Sequence, residues 1–273
     1  MEMRSFPIHN DLAFLVEKLQ AQTIQKQENT QENIILFFSF DIVNSTSYKA
    51  TNKENWMDAI SEIIRHIISG FSNSSLGGFR FWKTLGDEII YTKEVFQPED
   101  IVDTLETIYA NLCRLNQEIA SGLLCDVESA KVLGIKATAW VAHTSTSGNV
   151  GDNIFTEYLI NDNRRQTEYI GPDIDIGFRV ASYSICNHLV VSFDLAALLL
   201  RFDTAQKKRV HIFGYKQLKG VWEGRLYPII MFNGDCNANI ICELEKEHAS
   251  KKATHHGFLQ NLKDWTASNT LPQ

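Results

Sequence analysis

The chain has 273 residues, 44% of them hydrophobic, and a formal net charge of −7. That length and apolar content suffice for a core of its own and exclude a disordered tail or a disulfide-stapled miniprotein. The acidic balance argues against nonspecific binding to nucleic acid or to an anionic membrane, which needs a basic footprint, so any phosphate chemistry must come from a local site.

In chain order, residues 10–20 (NDLAFLVEKLQ) predict a short amphipathic helix, with Asn10 as N-cap and Leu12, Leu15, Val16 and Leu19 on one face. The polar stretch 25–33 reads as a linker. IILFFSFD (34–41) is a continuous apolar run, as expected of a central strand buried on both faces. Thr51 and Glu54 have capping-box spacing before a helix whose stripe is Trp56, Ile60, Ile63, Ile64 and Ile67. GFRFWK (78–83) alternates, with Phe79, Phe81 and Lys83 on one face and Arg80 and Trp82 on the other. A turn at TLG and the strand DEIIY (87–91) complete a hairpin.

Pro98 suits the first position of a helix carrying Ile101, Leu105, Ile108, Leu112 and Leu115. IKATAWVA (135–142) is a further strand, 173–185 a helix by placement, and HLVVSF, VHIF and RLYPIIMF later strands. Pro228 belongs at an edge or a bulge. The apolar run from Leu189 to Leu200 is interrupted and too short to span a bilayer. Beyond Gly234 a polar tail holds one more helical stripe, Phe258, Leu262 and Trp265. Strands and helices do not alternate one for one, so the expected fold class is α+β, an antiparallel sheet with helices on one side. The expected organisation is a helix and linker over 1–33, a main domain over 34–232, and an extension over 233–273.

The five cysteines, Cys113, Cys125, Cys186, Cys236 and Cys242, are odd in number and scattered, which points to buried thiols in a reducing compartment. With no apolar targeting segment at the start, the expected location is cytoplasmic, with neither membrane nor nucleic acid as partner. His255 and His256 lack the spaced partners of a zinc site. Arg164 and Arg165 read as a solvated pair in a polar loop, and Trp222 and Tyr227 as core or interface.

Chemistry concentrates around two carboxylates. Asp41 ends the first strand, and Asn44, Ser45 and Thr46 follow in a turn whose N–H groups and hydroxyls suit phosphate oxygens. Asp87 follows the hairpin turn. If the hairpin lies beside the first strand, the two carboxylates converge, as a Mg²⁺ site for a nucleoside triphosphate requires.

F-S-F-D-I-x-x-S-T at 38–46, with W-K-T-L-G-D-E at 82–88, resembles the class III nucleotidyl cyclases. E-Y-I-G-P-D-I-D-I-G-F-R (168–179) resembles their third block, D-x-W-G-x-x-V-N-x-A-x-R, with Gly171 and Arg179 matching directly. The resemblance covers roughly 34–232 and implies a ferredoxin-like core. It also implies two Mg²⁺ or Mn²⁺ ions on Asp41, Asp87 and the Ile42 carbonyl. Lys83 and Glu168 would then contact the base, Asp175 would stand at the ribose-binding position, and Arg179 would stabilise the α-phosphate. The family's sites form across a homodimer, the metal carboxylates from one protomer and the lysine and arginine from the other.

Glu168 and Asp175 depart from the purine enzymes. FDIVNSTSYK (40–49) and LKGVWEGRLYPII (218–230) resemble the pyrimidine cyclases of Pycsar antiphage defence. That resemblance implies UTP or CTP as substrate, Tyr48 narrowing the base pocket, and a separate effector that senses the cyclic product. A purine cyclase and a noncatalytic nucleotide-binding or dimerisation module of the same fold are the alternatives. A haloacid-dehalogenase phosphatase needs a second Asp where Val43 stands.

Overall fold

The computed structural model describes residues 10–22, 32–124, 128–145, 153–161, 164–203, 206 and 208–233. The linker over 25–31, Cys125, Cys236, Cys242, His255, His256 and the stripe Phe258, Leu262 and Trp265 lie outside these residues.

Among them one sheet runs in the order β2-β3-β1-β4-β7-β9-β8. Its strands are β1 (Glu32–Val43), β2 (Arg80–Leu85), β3 (Glu88–Glu94), β4 (Gly134–Ser145), β7 (Leu189–Val191), β8 (Val210–Gln217) and β9 (Leu226–Phe232). A second hairpin, β5 (Asn153–Asn161) and β6 (Arg164–Ile170), leaves this path and joins β4 at one end. β1 sits between β3 and β4, antiparallel to both, and every residue from Ile34 to Phe40 is buried. The apolar run had to be central because both its faces need cover. The β4–β5 and β4–β7 pairs are parallel, so the sheet is mixed rather than wholly antiparallel.

Even-numbered residues of β1 (Ile34, Leu36, Phe38, Phe40, Ile42) enter the main core. There they meet α1 (Asn10–Gln22), α3 (Trp56–Ser72), α4 (Pro98–Ser121) and α6 (Phe193–Phe202). The predicted stripes on α1, α3 and α4 are the ones that pack. Asn10 is the first residue of α1 rather than its cap. The Thr51–Glu54 box does not form. α2 (Ser45–Thr51) ends at Thr51, whose hydroxyl bonds back to the carbonyls of Ser47 and Tyr48, and Asn55 takes the N-cap position of α3 without a side-chain bond. Pro98 does open α4, where Gln97 and Asp100 supply the reciprocal cap. Pro228 lies opposite Tyr215, outside the β7 ladder, which covers only Ile230–Phe232 of β9.

Odd-numbered residues of β1 face the other way, and here the expectation of helices on one side only fails. α5 (Pro172–Ala181) lies on this second face. Its Ile174 and Phe178 pack on Ile35, Phe37, Trp82, Ile90 and Trp140. Phe37 and Trp140 stack at 5.6 Å between centroids. α5 is a weak helix by propensity because Gly177 interrupts it. The glycine is required by packing: a Cβ there would lie 2.3 Å from the Trp140 ring. Trp140 is wholly buried and has nowhere to move.

Gly177→Ala should therefore destabilise the protein by about 1–3 kcal/mol, in the range of overpacked cores, despite alanine's better helix propensity. Chemical denaturation checks this. A variant as stable as wild type or more so would show that propensity outweighs the contact.

Candidate functional site

Asp41 is odd-numbered and so projects on the second face, beyond the aromatic cluster. Lys136 of β4 is its cross-strand partner, and the Lys136 Nζ lies 2.9 Å from Asp41 Oδ2. Asp87 follows Gly86, whose φ of 67° makes the tight hairpin turn. Lys49 of α2 reaches across to it, Nζ to Oδ1 3.2 Å. Glu88 stands between the two aspartates in the electrostatic sense. Burial pushes its carboxyl up, a bond from Ser39 opposes this, and the charges of Asp41 and Asp87 both push it further up. Glu88 thus feels the charge of both aspartates, where β1 and the hairpin meet.

Asp41, Ile42, Asp87, Lys136 and the turn from Asn44 to Ser47 line one cleft of about 620 Å³, closed on another side by Ser184, Ile185 and Cys186. Asn44 adopts the left-handed conformation, φ 65°, and its side-chain amide donates to the Val132 carbonyl at 2.9 Å. This holds the backbone turn against the cleft. Ser45 is buried and Thr46 exposed. Among the described residues no group of three or more His, Cys, Asp and Glu side chains converges as a complete metal cage. Two carboxylates and a carbonyl, all hard oxygen donors, fit Mg²⁺ or Mn²⁺, which keep water and substrate phosphates as their remaining ligands.

Lys83 lies on the same face, for a reason the sequence concealed. Phe81 pairs with Tyr91 and Lys83 pairs with the next β3 residue, Ile90, so Trp82 is an extra residue in a bulge. The alternation expected for 78–83 breaks there. Lys83 turns to the side of Trp82 and Ile90, not to that of Phe81. Its ammonium sits 4.0 Å from the centre of the Trp82 ring and forms an ion pair with Glu168 of β6. Trp82 Nε1 donates to the Thr167 carbonyl at 3.1 Å, which ties the hairpin to β6. Lys83, Trp82, Gln166, Thr167 and Tyr169 line a second cleft, of about 480 Å³. Burial raises the Tyr169 phenol, so it stays neutral and able to donate.

The remaining predicted residues do not join these clefts. Asp175 is exposed in the first turn of α5. Arg179, one turn on, lines neither cleft; a Cβ on Gly220 would sit 4.0 Å from its Nη2, which places the guanidinium beside the loop before β9. Tyr48 is 1% exposed and belongs to the main core. α2 begins at Ser45, so Tyr48 comes round with Ser45 to the buried side of the helix. The expectation that it walls a base pocket is therefore corrected. The sequence does not single out Lys49 and Lys136 as site residues. Their signal is strand register and helix phase, which a lone lysine in a motif does not carry. Cys113 and Cys186, expected to be buried, are half-buried thiols.

The chain matches no protein-family model and no curated protein. Solved structures do resemble it. The adenylyl cyclase CyaB from P. aeruginosa aligns at a TM-score of 0.53 and 15% identity, over 77% of this chain and 98% of that one. The guanylyl cyclase Cya2 aligns at 0.52 and 16%, over 77% and 96%. A Trypanosoma brucei adenylate cyclase aligns at 0.52 and 14%, over 78% and 93%. The α+β fold, a mixed sheet with packed helices, is thus class III nucleotidyl-cyclase-like. Among the described residues no helix is long and apolar enough to cross a membrane.

Because Tyr48 is core, Tyr48→Ala should cost about 3–5 kcal/mol of stability, as truncation of large buried aromatics does. Thermal melting checks this. Near-wild-type stability with altered nucleotide binding would return Tyr48 to the pocket.

Proposed function

We propose that the protein is a nucleotidyl cyclase, converting a nucleoside triphosphate to a 3′,5′-cyclic nucleotide and pyrophosphate. The observation that carries this reading is the placement of Asp41 and Asp87 on one cleft, with the Lys83–Glu168 pair on the same face of the sheet. Two divalent ions held by Asp41, Asp87 and the Ile42 carbonyl would supply a lowered pKa at the ribose 3′-hydroxyl and neutralise charge on the triphosphate. The turn from Asn44 to Thr46 offers N–H and hydroxyl donors to phosphate oxygens. Lys83 and Glu168 offer a donor and an acceptor side by side to a base edge. The 3′-hydroxyl gives its proton to solvent water, its oxygen bonds to the α-phosphorus as the bond to the bridging oxygen breaks in line, and pyrophosphate leaves. Arg179 offsets the charge that builds up on the α-phosphate, and Asp175 faces the ribose.

A single chain does not gather this set, since Arg179 lies apart from the metal cleft. That separation supports a homodimer with composite sites, in which one hairpin offers Asp87 to one site and Lys83 to the other. Glu168, Asp175 and the stretches at 40–49 and 218–230 favour a pyrimidine triphosphate, made into an alarm signal read by a separate effector. The likeness to adenylyl and guanylyl cyclases favours a purine. With Tyr48 in the core, the pyrimidine reading rests on Glu168, Asp175 and those stretches alone.

With Mn²⁺ and equal amounts of the four ribonucleoside triphosphates, products resolved by mass should contain a cyclic nucleotide, and its base decides between these readings. Asp41→Ala and Asp87→Ala should each abolish it while melting stays cooperative; turnover near wild type in either would overturn the assignment. Mixing inactive Asp87→Ala with inactive Arg179→Ala should restore activity through one intact site per mixed dimer. No recovery in verified mixed dimers would contradict the composite site.

A further inference from the structure

Each carboxylate of the metal cleft already holds an ammonium group. Lys136 faces Asp41 across a strand pair, Nζ to Oδ2 2.9 Å, and Lys49 reaches Asp87 from α2 at 3.2 Å. Neither contact is needed to build the elements involved. β1 and β4 are held by a ladder running from Glu32 to Val43, and α2 by Tyr48 in the core. What the contacts do is electrostatic. Asp41 and Asp87 both line the cleft, and the two ammonium groups offset their negative charge there. Both lysine side chains keep part of their surface in solvent, 22% for Lys136 and 32% for Lys49. The Lys49 ammonium also lies over the Trp56 ring, its Nζ 5.7 Å from the ring centre.

We infer that Lys49 and Lys136 are built-in counter-ions of the metal cleft, which a divalent cation must displace to enter and which then pass to the phosphate oxygens of the substrate. The inference rests on the reading of Asp41 and Asp87 as metal carboxylates. The charge arithmetic supports it. Two carboxylates, two ammonium groups, two divalent ions and a tetra-anionic triphosphate sum to neutrality. The same site with metal but no triphosphate carries a large uncompensated positive charge. Bare metal is therefore held weakly, and metal arriving with a triphosphate is held well. The device selects the complex over the free ion, without a lid or a conformational switch.

The test is calorimetric titration of MnCl₂ into the full-length chain as wild type, Lys49→Met, Lys49→Arg and Asp87→Asn. Methionine keeps an unbranched apolar stem at a partly exposed position, so the fold should survive, and a melting curve checks that. Lys49→Met should bind Mn²⁺ about tenfold more tightly, the scale of removing one nearby charge at a partly exposed site. Lys49→Arg, which keeps the cation, should behave as wild type. Mg²⁺–tripolyphosphate should show the reverse change, about tenfold weaker in Lys49→Met. Equal or weaker Mn²⁺ binding by Lys49→Met, with binding still lost in Asp87→Asn, would overturn the counter-ion role and leave the metal cleft standing. Unchanged tripolyphosphate binding would overturn the transfer to phosphate. Undiminished Mn²⁺ binding by Asp87→Asn would overturn the metal cleft itself, and the counter-ions with it.

Discussion

One extra residue in one strand decides which face of the sheet can do chemistry. In a regular β2, Lys83 would share the side of Phe81, which is half exposed at the edge of the sheet and faces away from Glu168 and the aromatic cluster. The bulge at Trp82 turns Lys83 to the opposite face. There the ammonium finds Glu168, and Asp41 projects further along the same sheet surface. Trp82 fixes the bulge from both ends. Its ring packs edge-on against Phe37 and Tyr169, and its indole N–H is bonded to Thr167. Charged groups and aromatic cluster are thus parts of one arrangement: the apolar half of the second face holds the hairpin and α5 in place, and the polar half carries the clefts.

α5 depends on the same cluster. It carries Asp175 and Arg179 on a helix of low intrinsic stability, held down by Ile174 and Phe178 and brought close by Gly177. Asn153 secures its start. Its amide donates to the Asp173 carboxylate at 2.7 Å and to the His143 carbonyl at 3.1 Å, and its oxygen accepts from the Asp173 N–H. Helix, second hairpin and β4 are thereby tied at one buried point, so the position of Arg179 follows from packing rather than from its own contacts.

The elements legible in the sequence were those with one clean period. β1, α3, α4 and β4 each bury a face or a whole run, and hydrophobicity marks them directly. α6 went unread because Leu195 to Leu200 is buried on all sides, and a helix with no polar face has the pattern of a buried strand. The β5–β6 hairpin went unread for the opposite reason. Ile154, Tyr158 and Ile170 are exposed, so no alternation betrays the strands. In the site, Asp41, Asp87 and the pairing of Lys83 with Glu168 were readable because they lie in motifs. The face of Lys83, the burial of Tyr48 and the partners Lys136 and Lys49 depend on a bulge, a helix start and a strand register. None of these is fixed by residues adjacent in the chain.

The face assigned to Lys83 is most directly measured by a charge-swap cycle on stability, using Lys83→Glu, Glu168→Lys and the double variant. If the bulge brings the two side chains together, each single variant faces like charges and melts lower. The double variant then recovers most of the loss, with a coupling of about 0.5–1 kcal/mol or more for a partly buried contact. Losses that simply add would place Lys83 on the other face and contradict the arrangement from which both clefts are built.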